Sequence, residues 1–356
     1  MTLVANMIPA SFFGDLGPTE WVLWLMAGGA VVLLVIGADK VVSSAAKVAS
    51  ALGMSKVLIG ATIVSLGTTS PEAAVSVNAA IRGDGGMSLG NGVGSIICDT
   101  ALVFGLCCCM KELPKDRFIL RRHGWLQLGS GVLLTVIALI AWAIAGDITN
   151  AWIGRPAGVL LLVLLAGYLA LSVRWARQRP ELIPEKVREA ELPAKVTAVV
   201  KAGATTLKLL VLLLVGLAMI IMGSEFLIGS MKVIAANHGV PSAVIAVTLV
   251  ALGTSLPELV TALASLIKGH SELLVGNVIG ADILNVLFVI GASATAVPLR
   301  VDPVFYTFLL PSMLVVLVLL RVFIFLPGDR FRRWQGIPLL GAYIVFVVIT
   351  IWRQGA

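Results

Sequence analysis

Ser65-Leu66-Gly67-Thr68-Thr69-Ser70-Pro71-Glu72 and Ala251-Leu252-Gly253-Thr254-Ser255-Leu256-Pro257-Glu258 are two copies of one motif, separated by a constant offset of 186 residues. The same offset, without a gap, aligns Gly37-Ala38-Asp39 with Gly223-Ser224-Glu225 and Gly53 with Gly239. It also aligns Gly90-Asn91-x-x-Gly94 with Gly276-Asn277-x-x-Gly280. Chance does not produce so long an ungapped match, so the chain is built from two related halves.

The surroundings of the motifs are apolar. Of 356 residues 59% are hydrophobic and 13% charged, with a mean hydropathy of +1.03, a balance foreign to soluble domains. Apolar windows of about 20 residues, long enough to cross a bilayer as helices, are read at roughly 20–50, 55–82, 87–110, 120–145 and 153–174. A second set follows at 203–236, 240–267, 272–296, 303–326 and 335–353. The fold class expected is an all-α polytopic membrane protein with about ten transmembrane helices. Five spans per half is an odd number, so the second half enters the membrane from the opposite side and the repeats are inverted. Residues 1–175 form the first repeat with its motif region at about 60–105, and residues 203–356 form the second with its motif region at about 246–291. Between them, 176–202 is a charged linker containing Pro180, Pro184 and Pro193.

A formal charge of +7 does not indicate nucleic acid, because the cations lie in short loops rather than on one basic face. Loops around 111–122, 174–201 and 330–333 carry most of them, with Lys56 and Lys268 on the same side, whereas the alternate loops hold only Arg82, Arg155, Arg300 and Arg353. The positive-inside rule makes the rich side cytoplasmic and places both termini outside, in a cell (inner) membrane. The stretch before Trp21 lacks a basic n-region, so no cleavable signal peptide is expected. Cys98, Cys107, Cys108 and Cys109 share one span and read as packing or lipid-facing thiols. His123, His238 and His270 fall at loops or span ends and read as ordinary polar residues.

The chemistry lies on the motif helices. Ser65, Thr68, Thr69 and Glu72 are spaced i, i+3, i+4 and i+7, which puts their oxygens on one helix face. Ala251, Thr254, Ser255 and Glu258 repeat that register. Pro71 and Pro257 lack an N–H and free carbonyls near Gly67 and Gly253, tolerable inside a membrane only where something occupies them. The carbonyls of Ser65 and Ala251 join the candidate ligands on this ground. Ser95 and Asp99 share a face of the third span, Ala281 and Asn285 take the equivalent places in the eighth, and the Gly pairs let both helices approach their neighbours. A carboxylate within the membrane is costly unless it coordinates or pairs, so Glu72, Glu258 and Asp99 are functional candidates. Asp282, Asp39 and Glu225 lie off the stripes and suit helix packing or an ion entrance. Oxygen donors without His or Cys select hard cations: carboxylates and carbonyls suit Ca²⁺, and neutral Ser and Thr oxygens suit Na⁺.

At these residues the sequence resembles the cation/calcium antiporter superfamily, above all the prokaryotic sodium/calcium exchangers. The resemblance rests on both motifs, with Gly90-Asn91-Gly92-Val93-Gly94-Ser95 and Gly276-Asn277-Val278-Ile279-Gly280, and spans nearly the whole chain. It implies Ca²⁺ export coupled to Na⁺ entry by alternating access, the first and sixth helices sliding against a fixed core. It implies ion ligands at Ser65, Thr68, Thr69, Glu72, Ser95, Asp99, Ala251, Thr254, Ser255, Glu258, Ala281 and Asn285. Several positions depart from the family's pattern: Ser65 and Thr69 stand where Ala and Ser are usual, Ser70 replaces an apolar residue, Ala281 lacks the usual hydroxyl, and Asp282 replaces an Asn. Asp99 with Asn285 puts the extra acid in the first repeat rather than the second.

The expected partners are therefore Ca²⁺, Na⁺ and the lipid bilayer, with no cofactor and no nucleic acid; a monomer is compatible with the sequence. The competing readings are an H⁺- or K⁺-coupled exchanger of the same superfamily and a non-transporting membrane scaffold. An enzyme is not expected, since no nucleophile–base pair or nucleotide loop is present.

Overall fold

A computed structural model describes residues 20–51, 54–177, 192–238 and 251–355. Helix α1 is Glu20–Ala51. Helix α2 covers 56–81 and joins Lys56–Ile59, a π-helical turn Gly60–Val64 and Ser65–Ile81. The next helices are α3 (Gly85–Met110), α4 (Arg117–Ala145), α5 (Arg155–Arg177) and α6 (Leu192–Asn237). After them come α7 (Ala251–Thr254 with Leu256–Ile267), α8 (Ser271–Ala296), α9 (Phe305–Phe325) and α10 (Gly336–Gly355).

Among the described residues, eight helices are long and apolar enough to cross a membrane, and Leu256–Ile267 is a shorter apolar helix. Helix α2 has the length of a span but is more polar than the eight, because its hydroxyl stripe, Pro71 and Glu72 dilute the apolar residues. Most of the front of the expected seventh span, with Gly239, lies outside the described residues, as does Gly53. Helix α6 runs unbroken from Leu192, so the residues at 192–202, read above as linker, are helical.

Two packing units emerge. Helices α1 and α6 cross where Gly37 and Gly216 meet: a Cβ on either would stand 2.9 Å from the other's carbonyl oxygen, closer than side chains approach. Leu34, Ala38, Val41 and Val42 of α1 seal against Leu213, Leu217 and Ile220 of α6. The larger apolar cluster draws instead on α3, α4, α5, α8, α9 and α10. Its centre is α8, 94% of whose apolar window is buried, with α3 at 72% and α10 at 17% on the periphery. Outward-facing residues of the peripheral helices, such as Ile144, Val163 and Val345, are apolar and exposed, as a lipid-facing surface requires.

Among the described residues, the closest backbone crossing lies between α2 and α8. A Cβ on Gly280 would stand 2.5 Å from the Ala61 carbonyl oxygen, and one on Gly276 would overlap the Val57 carbonyl. Glycine at these positions lets α2 lie against α8 and brings the first motif to the centre. Four two-residue strands depart from the purely helical expectation: β1 (Leu113–Pro114), β2 (Trp152–Ile153), β3 (Leu299–Arg300) and β4 (Arg330–Phe331). Strand β1 pairs antiparallel with β4, and β2 with β3, so each ribbon ties a loop of one half to a loop of the other.

Candidate functional site

The motif helices carry the polar residues inward. Ser65, Thr68, Thr69 and Glu72 of α2 are fully buried, as are Glu258 of α7 and Asp99 of α3, with Ser255 and Ser95 nearly so. Thr254 is half-buried, Ala281 and Asn285 of α8 are fully buried, and Ala251 opens α7 with its side chain outside the described set. The structure thus gathers four helices, α2, α3, α7 and α8, around one interior polar region.

The two motif copies differ in backbone. Pro71 sits within an unbroken helix, whereas the helix of the second copy is interrupted at Ser255, with φ −89° and ψ 8°, and resumes with Pro257 in its first turn. Proline is favourable in a first turn and disruptive in an interior. The same residue type therefore removes a hydrogen bond in one copy and starts a helix in the other.

Wide π-helical turns bracket the site. Cys98–Phe104 begins at the residue before Asp99, and Asn285–Ile290 begins at Asn285. Such turns insert a residue into the helix and recur at functional sites. No spacing in the sequence announced them.

Hydrogen bonds join the two halves. Thr69 Oγ1 donates to Glu258 Oε1 at 3.4 Å, from the first motif to the second. Thr68 Oγ1 donates to the Ser65 carbonyl at 3.3 Å and lies 3.5 Å from Asn277 Oδ1. Asn91 Nδ2 donates to Ser76 Oγ at 2.9 Å and to the Glu72 carbonyl at 3.4 Å. Asn91 and Asn277 are the asparagines of the two Gly-Asn motifs; the repeat marked them, but a stripe of oxygens at helical spacing did not include them.

What remains unpaired is as informative. Among the described residues, both carboxylate oxygens of Glu72 and of Asp99, Oε2 of Glu258, the hydroxyls of Ser95 and Ser255 and the Asn285 amide have no hydrogen-bond partner. Native interiors rarely leave buried polar atoms unpaired, and a cluster of them calls for a ligand. Glu72, Asp99 and Glu258 are also close enough to act on one another electrostatically. No three acidic, His or Cys side chains among the described residues converge as a self-sufficient metal cage. A cation placed here would have to draw on neutral oxygens as well, which the hydroxyl-rich stripe offers.

Asp282, read above as suited to helix packing or an ion entrance, is buried, with its Oδ1 unpaired and its charge acting on Asp99. Its Oδ2 accepts from Thr100 Oγ1 and from Gln127 Nε2 of α4; Gln127, distant in sequence, was not singled out by any motif. Asp39 pairs with Lys268, while Glu225 stays half-buried on α6. His238 bonds Glu20 and His270 lies 3.2 Å from Lys56. His123 differs from the expectation of an ordinary end residue: it is 1% exposed, with its ring against Tyr168 and Trp175. The cysteines are free, with Cys98, Cys107 and Cys108 buried.

Fold and site together define a multi-pass helical membrane protein with a buried oxygen-rich site at the crossing of its two halves. The sodium/calcium exchanger protein family model matches residues 22–174 and 208–352, and the chain belongs to that family. Over about nine-tenths of its length it is 30% identical to the inner membrane protein YrbG of Escherichia coli, covering 94% of that protein. It is 31% identical to the putative antiporter CaxA of Alkalimonas amylolytica, with 88% of this chain and 94% of CaxA covered. The sodium/calcium exchanger MaX1 of Methanosarcina acetivorans is 28% identical over 90% of this chain and 96% of MaX1. The solved structure of the sodium-calcium exchanger NCX_Mj soaked with Na⁺ superposes with a TM-score of 0.73 at 28% identity, covering 94% of this chain and 98% of the other.

Proposed function

We propose that this protein exchanges Na⁺ for Ca²⁺ across a cell membrane by alternating access, with one site serving both ions in turn. The observation that carries the reading is the pair Glu72 and Glu258, fully buried in helices surrounded by apolar residues and linked across the halves through Thr69. An anionic oxygen at mid-membrane costs about 3 kcal/mol or more. Ca²⁺, stripped of water, offsets that cost by taking carboxylate oxygens from both halves.

Residues Ser65, Thr68, Thr69, Ser95, Asp99, Ala251, Thr254, Ser255, Ala281 and Asn285 complete the proposed shell through hydroxyl, amide, carboxylate or backbone oxygens. Na⁺, carrying one charge, is served by the hydroxyls and carbonyls and neutralises the same carboxylates. The two ions exclude each other, and exchange follows from that competition. Two inverted repeats, residues 1–175 and 203–356 joined by a cytoplasmic linker at 176–202, would place the site at their interface. The reading puts both termini outside the inner membrane and requires no cofactor and no partner subunit.

Reconstituted vesicles test it. With Na⁺ inside and Na⁺-free buffer outside, radioactive Ca²⁺ should accumulate, and a protonophore should leave the uptake unchanged. Uptake that ignores Na⁺ and collapses with the pH gradient, or that requires K⁺, would move the protein to another ion coupling; no Ca²⁺ movement under any gradient would favour a scaffold.

A further inference from the structure

The repeat offset that aligns the motifs also aligns two pairs of opposite charges. Asp39 of α1 corresponds to Glu225 of α6, and Lys268 corresponds to Arg82. Both cations occupy the same structural place, the residue that caps the C-terminus of a motif helix: Arg82 ends α2 and Lys268 ends α7. Both acids lie on the α1/α6 pair, which packs on itself through Gly37 and Gly216 and through Glu20 with His238 at 2.8 Å.

Only one pair is closed. Lys268 Nζ forms an ion pair with Asp39 Oδ1 and donates to Ser43 Oγ at 2.6 Å and to the Asp39 carbonyl at 3.3 Å. No ion pair joins Arg82 to Glu225 among the described residues. Arg82 is exposed, and Glu225 is half-buried with Lys232, on its own helix, as the cation acting on it.

In a transporter made of inverted repeats, one bundle rocks against the other around a fixed site, and the pseudo-two-fold axis relates the contacts at one side of the membrane to those at the other. An asymmetry between repeat-related contacts is then the signature of one state, and the opposite asymmetry belongs to the other. We infer that Arg82 and Glu225 form an ion pair when the site faces the other side, while Asp39 and Lys268 part. The two pairs make a reciprocal latch between the α1/α6 pair and the motif helices. Because α1 and α6 hold together and the two cations end oppositely directed helices, a displacement that withdraws Asp39 from Lys268 carries Glu225 toward Arg82. An exposed ion pair contributes little stability. That suits a latch which must open on every cycle, and it makes the balance between states sensitive to either charge.

This inference rests on the inverted-repeat, alternating-access reading above, and the test separates the two. Spin labels at Ile36→Cys with Ile267→Cys, and at Met222→Cys with Ile81→Cys, occupy exposed repeat-related positions and leave all four charges intact. Cys98, Cys107, Cys108 and Cys109 are replaced by Ala. In proteoliposomes, pulsed electron resonance distances should move oppositely: as one pair shortens between saturating Na⁺ and saturating Ca²⁺, the other lengthens. Lys268→Glu should shift the populations toward the short Met222–Ile81 distance, Arg82→Glu toward the short Ile36–Ile267 distance, and the swap Asp39→Lys with Lys268→Asp should restore the parent distribution. Distances that move together, or that ignore both charge reversals in a protein with intact Ca²⁺ flux, would overturn the latch. Reciprocal distances without Na⁺-driven Ca²⁺ flux would retain it and overturn the proposed ions.

Discussion

The two motif copies share a frame and differ in their donors. Thr68, Thr69 and Glu72 have counterparts in Thr254, Ser255 and Glu258, and both glutamates are fully buried. One helix further on the likeness fails: Ser95 and Asp99 of α3 face a sequence counterpart of Ala281 and Asn285 in α8. The first half therefore holds a hydroxyl and an acid where the second holds a methyl group and an amide. The backbones diverge too, since Pro71 lies inside a helix and Pro257 follows a break. On the proposed reading, symmetry fixes where the ions would be held, and the departures from it would set how the site distributes charge between the halves.

The strongest way to break this comparison is at the conserved frame. Glu72→Gln and Glu258→Gln each remove an anionic oxygen while keeping size and hydrogen-bonding capacity. Each should lower Ca²⁺ exchange by roughly a hundredfold or more, the equivalent of about 3 kcal/mol, with membrane insertion unchanged. Initial flux rates beside a detergent-extracted folding assay decide it. Near-parental flux in either variant would remove the proposed shared site.

A smaller effect is expected where the halves differ. Asp99→Asn should leave measurable transport and raise the half-saturating Ca²⁺ concentration about tenfold, the equivalent of about 1.5 kcal/mol, the lower end of what one contact to a charged group contributes. Adding Asn285→Asp to that variant returns the carboxylate on the other half, and transport should recover toward the parent. If the swap fails to recover it while Asp99→Asn alone is mild, the halves are not interchangeable at this position.

The least effect should come from Ala281→Ser. It supplies the hydroxyl that Ser95 supplies in the first half, and the apparent affinity for Na⁺ should rise a few-fold, in line with about 1 kcal/mol for one hydrogen-bonding oxygen. The measurement is Na⁺ inhibition of Ca²⁺ uptake. An unchanged inhibition curve would mean that this side of α8 does not contribute to the Na⁺ shell.

Much of the architecture was legible because lipid leaves few options. Long apolar runs dictate helices, and eight of the ten expected spans are long and apolar enough to cross a membrane among the described residues. The stripe Ser65, Thr68, Thr69 and Glu72 was readable because helix geometry turns spacing into a face. Gln127 was invisible for the opposite reason: it reaches Asp282 from α4, across a separation in sequence that no periodicity encodes. The π-helical turns at Cys98 and Asn285 were equally silent, since one extra residue per turn leaves the apolar pattern of a span intact. His123 lies near the start of a span, where exposure is usual, and only the packing of α5 across it, through Tyr168 and Trp175, makes it buried.

Equilibrium binding to the purified protein tests the shared site most directly. Ca²⁺ binding is titrated calorimetrically at a series of Na⁺ concentrations, in the parent chain and in Glu72→Gln. If Glu72, Glu258 and the surrounding hydroxyls serve both ions in turn, Na⁺ should weaken Ca²⁺ binding progressively and without a plateau, and the variant should lose the Ca²⁺ signal. A Ca²⁺ affinity that levels off at high Na⁺, with both ions bound together, would contradict the account.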